Sequence, residues 1–242
     1  MRLDEELVRR GLCASRARAR DSILRGAVTV DGSIVTKPAR TVGPEQAIGF
    51  DDPAAGYVSR SALKLAAGLD AFGFNPADRV GLDVGASTGG FTQVLLGRGA
   101  KMVYAVDVGR DQLAEKIAAD ERVIVMEGVN ARDLDAAQIP DRPGAIVIDV
   151  SFISQRLLLP AVLALAAPDA FLVSLVKPQF EVGRDGVGKG GIVRDEGAAL
   201  SALAAVESTV VDCGFALVGR MDSPIEGGDG NREYLIGAVN GR

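Results

Sequence analysis

The architecture of the chain turns on Val80-Gly-Leu-Asp-Val-Gly-Ala-Ser-Thr-Gly-Gly90, continuing as Phe91-Thr-Gln-Val-Leu-Leu96. Val80 to Val84 is a short apolar run bounded by a turn signal, the pattern of a buried strand. Gly85, Gly89 and Gly90 then mark a tight turn in which main chain passes close to a neighbour or a ligand. Thr88 or a neighbour is placed to cap a helix starting near Gly90. Strand, glycine turn and helix together make the nucleotide-binding half of a doubly wound α/β sheet. The Gly-x-x-x-Gly spacing is not the Gly-x-Gly-x-x-Gly of dinucleotide folds. A tight βα turn with no ligand is the bland alternative.

The next strand sharpens the expectation. Lys101-Met-Val-Tyr-Ala-Val-Asp107 ends in a carboxylate about 20 residues beyond the glycine turn, where such folds set an acid against a ribose hydroxyl pair. A third strand, Val123 to Met126, leads into Glu127-Gly-Val-Asn130. A ligand with an adenosine group and no pyrophosphate suits this pocket. S-adenosylmethionine is the first candidate and NAD the second. Gly85, Ala86, Ser87, Gly89 and Gly90 then wrap the methionine end, with Asp107 at the ribose and Val129 or Asn130 at the adenine edge. Asp83 orients the amino group, unless it is a strand residue satisfied by backbone.

At 242 residues and 48% hydrophobic content the chain can bury one α/β core plus a small appendage. Histidine is absent, so no step uses an imidazole base or an imidazole metal ligand, and no metal is expected. Cys13 and Cys213 lie far apart without metal spacing and read as packing residues of a reduced, cytoplasmic protein. The N-terminus is charged from Arg2 onward and reads as lacking a secretion signal. Leu157 to Val176 is apolar enough to suggest a membrane span, but Pro160, Pro168 and Asp169 divide it into a helix, a turn and a buried strand. No stable membrane insertion is expected.

The net charge of −5 is unevenly spread: residues 1–40 hold nine basic and five acidic side chains, +4, leaving −9 for the remainder. A basic module on an acidic body is the footprint of a nucleic-acid-binding appendage. Within it, Ser15 caps a helix running to Arg25, closed by Gly26. Leu7, Leu12, Ile23 and Leu24 supply a small apolar face. Ala27 to Val30, Asp31-Gly32 and Ser33 to Val35 form a hairpin with a strong turn dipeptide, and Ala47 to Phe50 adds a third strand. Arg2-Leu3-Asp4, Gly11-Leu12, Ser15-Arg16, Ile23, Gly26 and Val28-x-Val30-Asp31-Gly32 resemble the S-four RNA-binding domain over residues 1–50. The resemblance implies that Arg2, Arg16, Arg18 and Arg20 touch RNA phosphates, contacts that give affinity without base readout.

Asp51 to Gly56 is a linker. Beyond it, Ser59 can cap a helix to about Phe72, with Ala62, Leu65, Ala66, Leu69 and Phe72 at helical spacing and Lys64 between two leucines. Ala145 to Ile148 is a buried strand ending in Asp149, at the ligand-facing edge of such sheets. Phe171 to Val176 is a strand ending in Lys177-Pro178. Gly230-Asn-Arg-Glu233 opens the last strand; Glu226 is a nearby competitor for the same role. The glycine-rich stretch from Val182 to Asp195 nearly spells a P-loop, but Gly190 stands where Ser or Thr is required. A loop that orders over a substrate fits better. Asp195 caps the following helix, Glu196 to Asp212.

Residues 57–242 resemble the FtsJ-like branch of the S-adenosylmethionine-dependent methyltransferases, whose Lys-Asp-Lys-Glu tetrad matches Lys64, Asp149, Lys177 and Glu233 in order. With the N-terminal module, nearly the whole chain resembles the haemolysin-A (TlyA) family of ribosomal RNA 2′-O-ribose methyltransferases. That resemblance implies a Rossmann-like seven-stranded methyltransferase sheet behind a small α+β RNA-binding domain. It also implies methyl transfer to the 2′-hydroxyl of a cytidine in ribosomal RNA, with ribosomal subunits as partners. Such a transfer needs near-attack geometry and a place for one poorly acidic proton. Lys177 can take it where burial and Lys64 disfavour a second cation, while Asp149 and Glu233 act in the opposite sense; the balance is left open by sequence. Asp149-Val-Ser-Phe152 is not the Pro-Pro-aromatic motif of amino-group methylators, and no cysteine lies near a motif. A cytolytic membrane protein and an RNA-binding protein without catalysis are the alternatives.

Overall fold

The structure is a computed structural model that describes residues 1–183, 186–228 and 230–241. Arg184 and Asp185 of the glycine-rich loop lie outside the described residues. The chain divides into two compact units, Met1–Gly56 and Tyr57–Arg242.

The first unit holds α1 (Leu3–Arg9), α2 (Arg16–Leu24) and a three-stranded antiparallel sheet of β1 (Val28–Val30), β2 (Ser33–Ile34) and β3 (Ile48–Phe50), with β1 central. The hairpin turns at Asp31 and Gly32, both with positive φ (51° and 79°), the backbone of a type I′ turn matched to strand twist. Ser15 caps α2 by accepting the Arg18 N–H at 3.3 Å. Leu3, Leu7, Cys13, Ile23, Val28 and Val30 form its core. Leu24 does not join them and is 55% exposed. Ile23 takes the inward position, and the helical step turns its successor to solvent.

In the second unit α3 (Ala62–Phe72) precedes β4 (Val80–Val84), the glycine turn, α4 (Gly90–Gly97) and β5 (Met102–Asp107). Then follow α5 (Glu115–Ala118), β6 (Val123–Glu127), β7 (Ala145–Ile148), α6 (Leu159–Ala164), β8 (Phe171–Val176), α7 (Glu196–Asp212), β9 (Phe215–Asp222) and β10 (Tyr234–Asn240). Among the described residues the sheet has seven strands in the order β6-β5-β4-β7-β8-β10-β9, parallel except for β10, which runs antiparallel to both neighbours.

The inner strands β4, β7 and β8 are largely apolar because the centre of the sheet is covered on both faces. Ile146, Ile148 and Leu172 pack with Leu159 and Val162 of α6 and Leu203 and Val206 of α7. Their alternates Val147 and Val173 pack with Leu65 and Leu69 of α3 and Phe91 and Leu95 of α4. From β4 the chain steps outward through β5 to β6, then returns to the other side of β4 through β7 to β8. The glycine turn sits at that reversal, the crevice where doubly wound sheets take their ligands.

Two expectations about helix caps need correction. The α4 N-cap is Gly89, at φ 91°, with no side-chain cap from Thr88 or a neighbour. The α3 N-cap is Ser61 rather than Ser59; the Ser59 hydroxyl instead accepts the Ser61 N–H at 3.2 Å. The stretch from Leu157 to Val176 divides into α6 and β8 as its prolines require, and no helix among the described residues is long and apolar enough to cross a membrane. Asp195 caps α7 by accepting the Ala198 N–H at 3.1 Å, and Cys213 closes that helix.

Candidate active site

The glycine turn is shaped by close main-chain approach. Gly85 has φ 88°, and a Cβ there would collide with the main-chain carbonyl of Asp149. The N–H groups of Gly85 and Ala86 both donate to the Val106 carbonyl, at 2.8 and 3.1 Å, tying the turn to β5. Gly89 and Gly90 serve packing: a Cβ at Gly89 would meet Leu113 and Ile117, and one at Gly90 would lie 2.6 Å from Ser61 Oγ.

Two adjoining cavities open over the turn, sharing Gly85, Ser87, Asp149 and Ser151 as walls. The larger, about 500 Å³, is also lined by Asp107, Val108, Gln112, Val129, Asn130 and Phe152. The smaller, about 160 Å³, adds Ser59, Ser61, Ala86, Thr88, Phe91 and Lys177. Asp107 is held rigidly: one oxygen accepts the Ser87 N–H at 2.8 Å, the other the Gly109 N–H at 2.7 Å. Glu127 orders the loop beyond it by accepting the N–H groups of Asp111, Gln112 and Leu113 at 2.7, 2.8 and 3.0 Å. These bonds hold its carboxyl below the usual carboxylate range.

The four tetrad positions resolve into two ion pairs. Lys177 Nζ lies 2.6 Å from Asp149 Oδ1 and donates to Ser151 Oγ at 3.0 Å, on the cavity wall. The contact to Asp149 is one of charge, because that oxygen accepts no hydrogen bond. Lys64 donates to Glu233, and both are buried, 5% and 3% exposed. Strand register brings the pairs together. Tyr234 pairs with Val176, so Glu233 and Lys177 are the next residues along this antiparallel ladder. Glu226 is exposed and takes no part in either pair. Among the four, only Asp149 and Lys177 line the two cavities.

Asp83 lies beneath the turn, fully buried, and lines neither cavity. One oxygen accepts the Thr92 hydroxyl at 2.6 Å; the other has no partner. Burial, against the hydrogen bond from Thr92 and with the charges of Asp149 and Asp107 adding to it, pushes the carboxyl up to about 7. Its folded value thus exceeds the ordinary one near 3.8, and between the two the folded state holds the extra proton. This contribution to stability is complete below the unfolded value and is lost as pH rises toward 7. Asp83→Asn removes the penalty. The melting midpoint of the unliganded variant is therefore expected to gain on wild type as pH rises from about 5 to about 8; equal slopes in thermal denaturation across that range refute the assignment.

In the first unit the four expected arginines differ in state. Arg2 donates to Asp4 at 2.9 and 3.0 Å and Arg16 reaches the same carboxylate at 3.3 Å, which anchors both guanidinium groups while leaving them half exposed. These bonds hold the Asp4 carboxyl down at about 2. Arg18 donates to the Ala54 carbonyl at 3.2 Å. Arg20 is exposed and unpaired among the described residues. Lys37 and Arg40, which sequence reasoning passed over, are also exposed, and the Pro38 and Arg40 carbonyls accept the N–H groups of Asp4 and Leu3. Backbone bonds thus bring that turn to the start of α1, beside Arg2.

Sequence reasoning also missed Ser59, Ser61, Ser151 and Phe152. Phe152 is 91% exposed at a positive φ of 64°, on the wall of the larger cavity. Its one sequence signal was an aromatic residue three places beyond the Asp149 carboxylate.

Comparison with known proteins agrees with the two-unit division. The family description FtsJ-like methyltransferase matches residues 57–240, and S4 domain matches residues 1–48. The chain is 46% identical over 236 residues to the 16S/23S rRNA (cytidine-2′-O)-methyltransferase TlyA of Mycobacterium tuberculosis, covering 97% of this chain and 88% of that one. It is 44% identical over 236 residues to Hemolysin A of Brachyspira hyodysenteriae, covering 97% and 98%. A solved chain from Streptococcus thermophilus that carries a hemolysin name superposes with a TM-score of 0.77 at 39% identity, covering 99% of this chain and 88% of that one.

Proposed function

The chain belongs to the FtsJ-like methyltransferase family and carries an S4 domain in its first residues, and from this we propose that it methylates the 2′-hydroxyl of a cytidine in ribosomal RNA, using S-adenosylmethionine. The observation that carries the proposal is the Lys177–Asp149–Ser151 cluster on the same cavity wall as the glycine turn. The first relative named above bears this activity in its name.

The residues present fit the cofactor. The larger cavity has the volume of an ordinary ligand pocket, a fixed carboxylate at Asp107 for a ribose diol, and Val108, Val129 and Asn130 for a planar base. The smaller cavity offers Ala86, Ser87 and the Ser59 and Ser61 hydroxyls to an amino-acid end. The unpartnered Asp83 oxygen beneath the turn answers a cationic group above it. When bound, S-adenosylmethionine supplies a methyl group already activated on a sulfonium.

What remains for the chain is to place the hydroxyl and receive its proton. A hydroxyl entering the smaller cavity meets Lys177 Nζ beside the Asp149 carboxylate, and the proton leaves at this pair. Ser151 fixes the ammonium from a third side. Lys64 and Glu233 complete a set of two cations and two anions whose charges sum to zero. Phe152 offers its ring to solvent at the cavity mouth, with the Phe180 ring 5.1 Å away. A splayed-out base stacking there covers an apolar face that otherwise meets water. In the S4 domain, Arg2, Arg16, Arg18 and Arg20 grip phosphates. The anchoring of Arg2 and Arg16 on Asp4 presents their forks in fixed orientation.

The test is transfer of labelled methyl from S-adenosylmethionine to ribosomal subunits lacking the modification, followed by nuclease digestion. Label at the 2′-oxygen of a cytidine is the expected result. Label on a base, or cofactor and RNA binding with no transfer to either subunit, overturns the reading. Gly85→Ala adds a Cβ that the Asp149 main chain cannot accommodate, at a φ that disfavours any side chain. Its affinity for S-adenosylhomocysteine is expected to fall at least about tenfold, the equivalent of one strained residue; unchanged affinity by calorimetry dissociates the turn from the cofactor.

A further inference from the structure

Lys177 and its partners sit on two loops that leave the sheet at neighbouring strand ends. The β7–β8 ladder ends at Ile148 and Ser174. Beyond it, Asp149 and Ser151 travel on one loop and Lys177 on the other, with no further strand pairing to fix their separation. Instead a buried polar chain joins them. Gln155, 2% exposed, donates from Nε2 to the Leu175 carbonyl at 2.6 Å and accepts the Ser174 hydroxyl at 2.5 Å. From the other loop, Glu181, whose side chain is 2% exposed, accepts the Ser154 hydroxyl at 2.6 Å and the Gln155 N–H at 2.7 Å. Gln155 thus ties its segment to the end of β8, the strand that leads into Lys177, and Glu181 reaches back from the far side of Lys177 to the same segment. The Phe152 and Phe180 rings meet between the same two segments.

Ser174 is the polar residue in the otherwise apolar Phe171-Leu-Val-Ser-Leu-Val176, and it is fully buried. A serine in a closed core is costly unless its hydroxyl is satisfied, and here Gln155 satisfies it. Burial pushes the Glu181 carboxyl up while the Ser154 hydroxyl and Gln155 N–H oppose that rise. None of Gln155, Ser174 or Glu181 lines either cavity. The cost of burying them is thus spent behind the reacting groups, on how the two loops stand to each other.

We propose that Gln155 and Glu181 are positioning residues for methyl transfer, clasping the Asp149–Ser154 loop to the Lys177–Glu181 segment and so setting where Lys177 Nζ stands against Asp149 and Ser151. The inference rests on the methyltransferase reading for its consequence in rate, but its structural half stands separately.

The test uses the full chain in two forms. Glu181→Gln keeps the shape and loses an acceptor oxygen. Gln155→Leu with Ser174→Ala removes both side chains of the buried Ser174–Gln155 bond together, which is gentler than orphaning one of them, and leaves the Leu175 carbonyl without its amide donor. Melting midpoint, S-adenosylhomocysteine affinity, kcat and KM on ribosomal subunits, the pH–rate profile, and amide hydrogen exchange across residues 149–155 and 177–181 are measured on each. Both variants are expected to bind S-adenosylhomocysteine within about threefold of wild type and to keep KM. Their kcat is expected to fall about 10- to 100-fold, the scale of an ångström-sized misplacement. The pH–rate profile is expected to shift, and exchange to quicken in both loops together. An unchanged kcat and pH profile overturns the proposal. So does a loss of rate that disappears when the assay is cooled well below each variant's midpoint, because that is instability alone. If wild type itself transfers no methyl group, the functional reading fails, and exchange still decides the clasp: faster in both loops supports it, unchanged exchange refutes it.

Discussion

Lys177→Ala is expected to lower kcat for methyl transfer by about 10²- to 10⁴-fold, the usual worth of a positioned proton-transfer group, with little change in cofactor affinity or melting midpoint. The reasons lie in where the side chain ends. Its Nζ reaches the wall of the smaller cavity and touches Asp149 and Ser151. Asp149 lies on the cavity wall, so losing the lysine opens its carboxylate to the water of the cavity, and the cost to folding is smaller than for a pair closed from solvent. The adenosine-sized cavity is walled by other residues, so binding of S-adenosylhomocysteine survives. Single-turnover rates with saturating cofactor, beside calorimetric affinity, check this. A variant that transfers methyl within a few-fold of wild type removes Lys177 from the reaction; one that loses cofactor affinity in step with rate makes it a binding residue instead.

Lys64→Met is expected to fail in a different way. Lys64 and Glu233 are closed from solvent and bonded to each other. Removing one partner leaves a buried charge without compensation, a loss of about 3–5 kcal/mol. At 2–4 °C per kcal/mol for a chain of this size, the midpoint drops by about 6–20 °C. Replacing both, Lys64→Met with Glu233→Leu, is expected to restore most of the midpoint, since apolar pairs often match or exceed the buried ion pair they replace. The double variant then decides whether this pair contributes to chemistry: a stable protein that is slow shows that its charges support Lys177, and a stable protein at full rate confines the pair to folding. Chemical denaturation and methyl-transfer rates on the same preparations give both answers.

Much of this arrangement could be read before any coordinates. The strand from Val80 to Val84, the glycines behind it and the carboxylate at Asp107 each announced themselves by residue type at fixed spacing, because backbone conformation leaves few alternatives there. Asp149 and Lys177 were legible for a related reason: a charged residue directly after an apolar run has to lie at the strand end. Pairing was not legible. Nothing in the order Lys64, Asp149, Lys177, Glu233 says that the first binds the last, since that follows from the antiparallel entry of β10 beside β8. Residues that act through close packing were also hidden. Ser59 read as a helix cap and Ser61 carried no reading, and only the approach of the Gly90 main chain explains why they line the site. Gln155 and Glu181 carried no motif at all. Leu24 looked like a core residue and lies outside because Ser22 and Ile23 already take the inward side of the last turn of α2.

The closeness of Gly85 to the main chain at Asp149 bears on how such a sequence can drift. A side chain obstructed by another side chain can be rescued by trimming the neighbour, so two positions may change in turn. Here the obstacle is a carbonyl, present whatever residue occupies position 149. No second substitution clears it. Only a change in the length or path of the loop between Ile148 and Ser154 opens room, and that path carries Asp149 and Ser151 with it. Position 85 is therefore locked to a single amino acid by a peptide bond 64 places away in the chain.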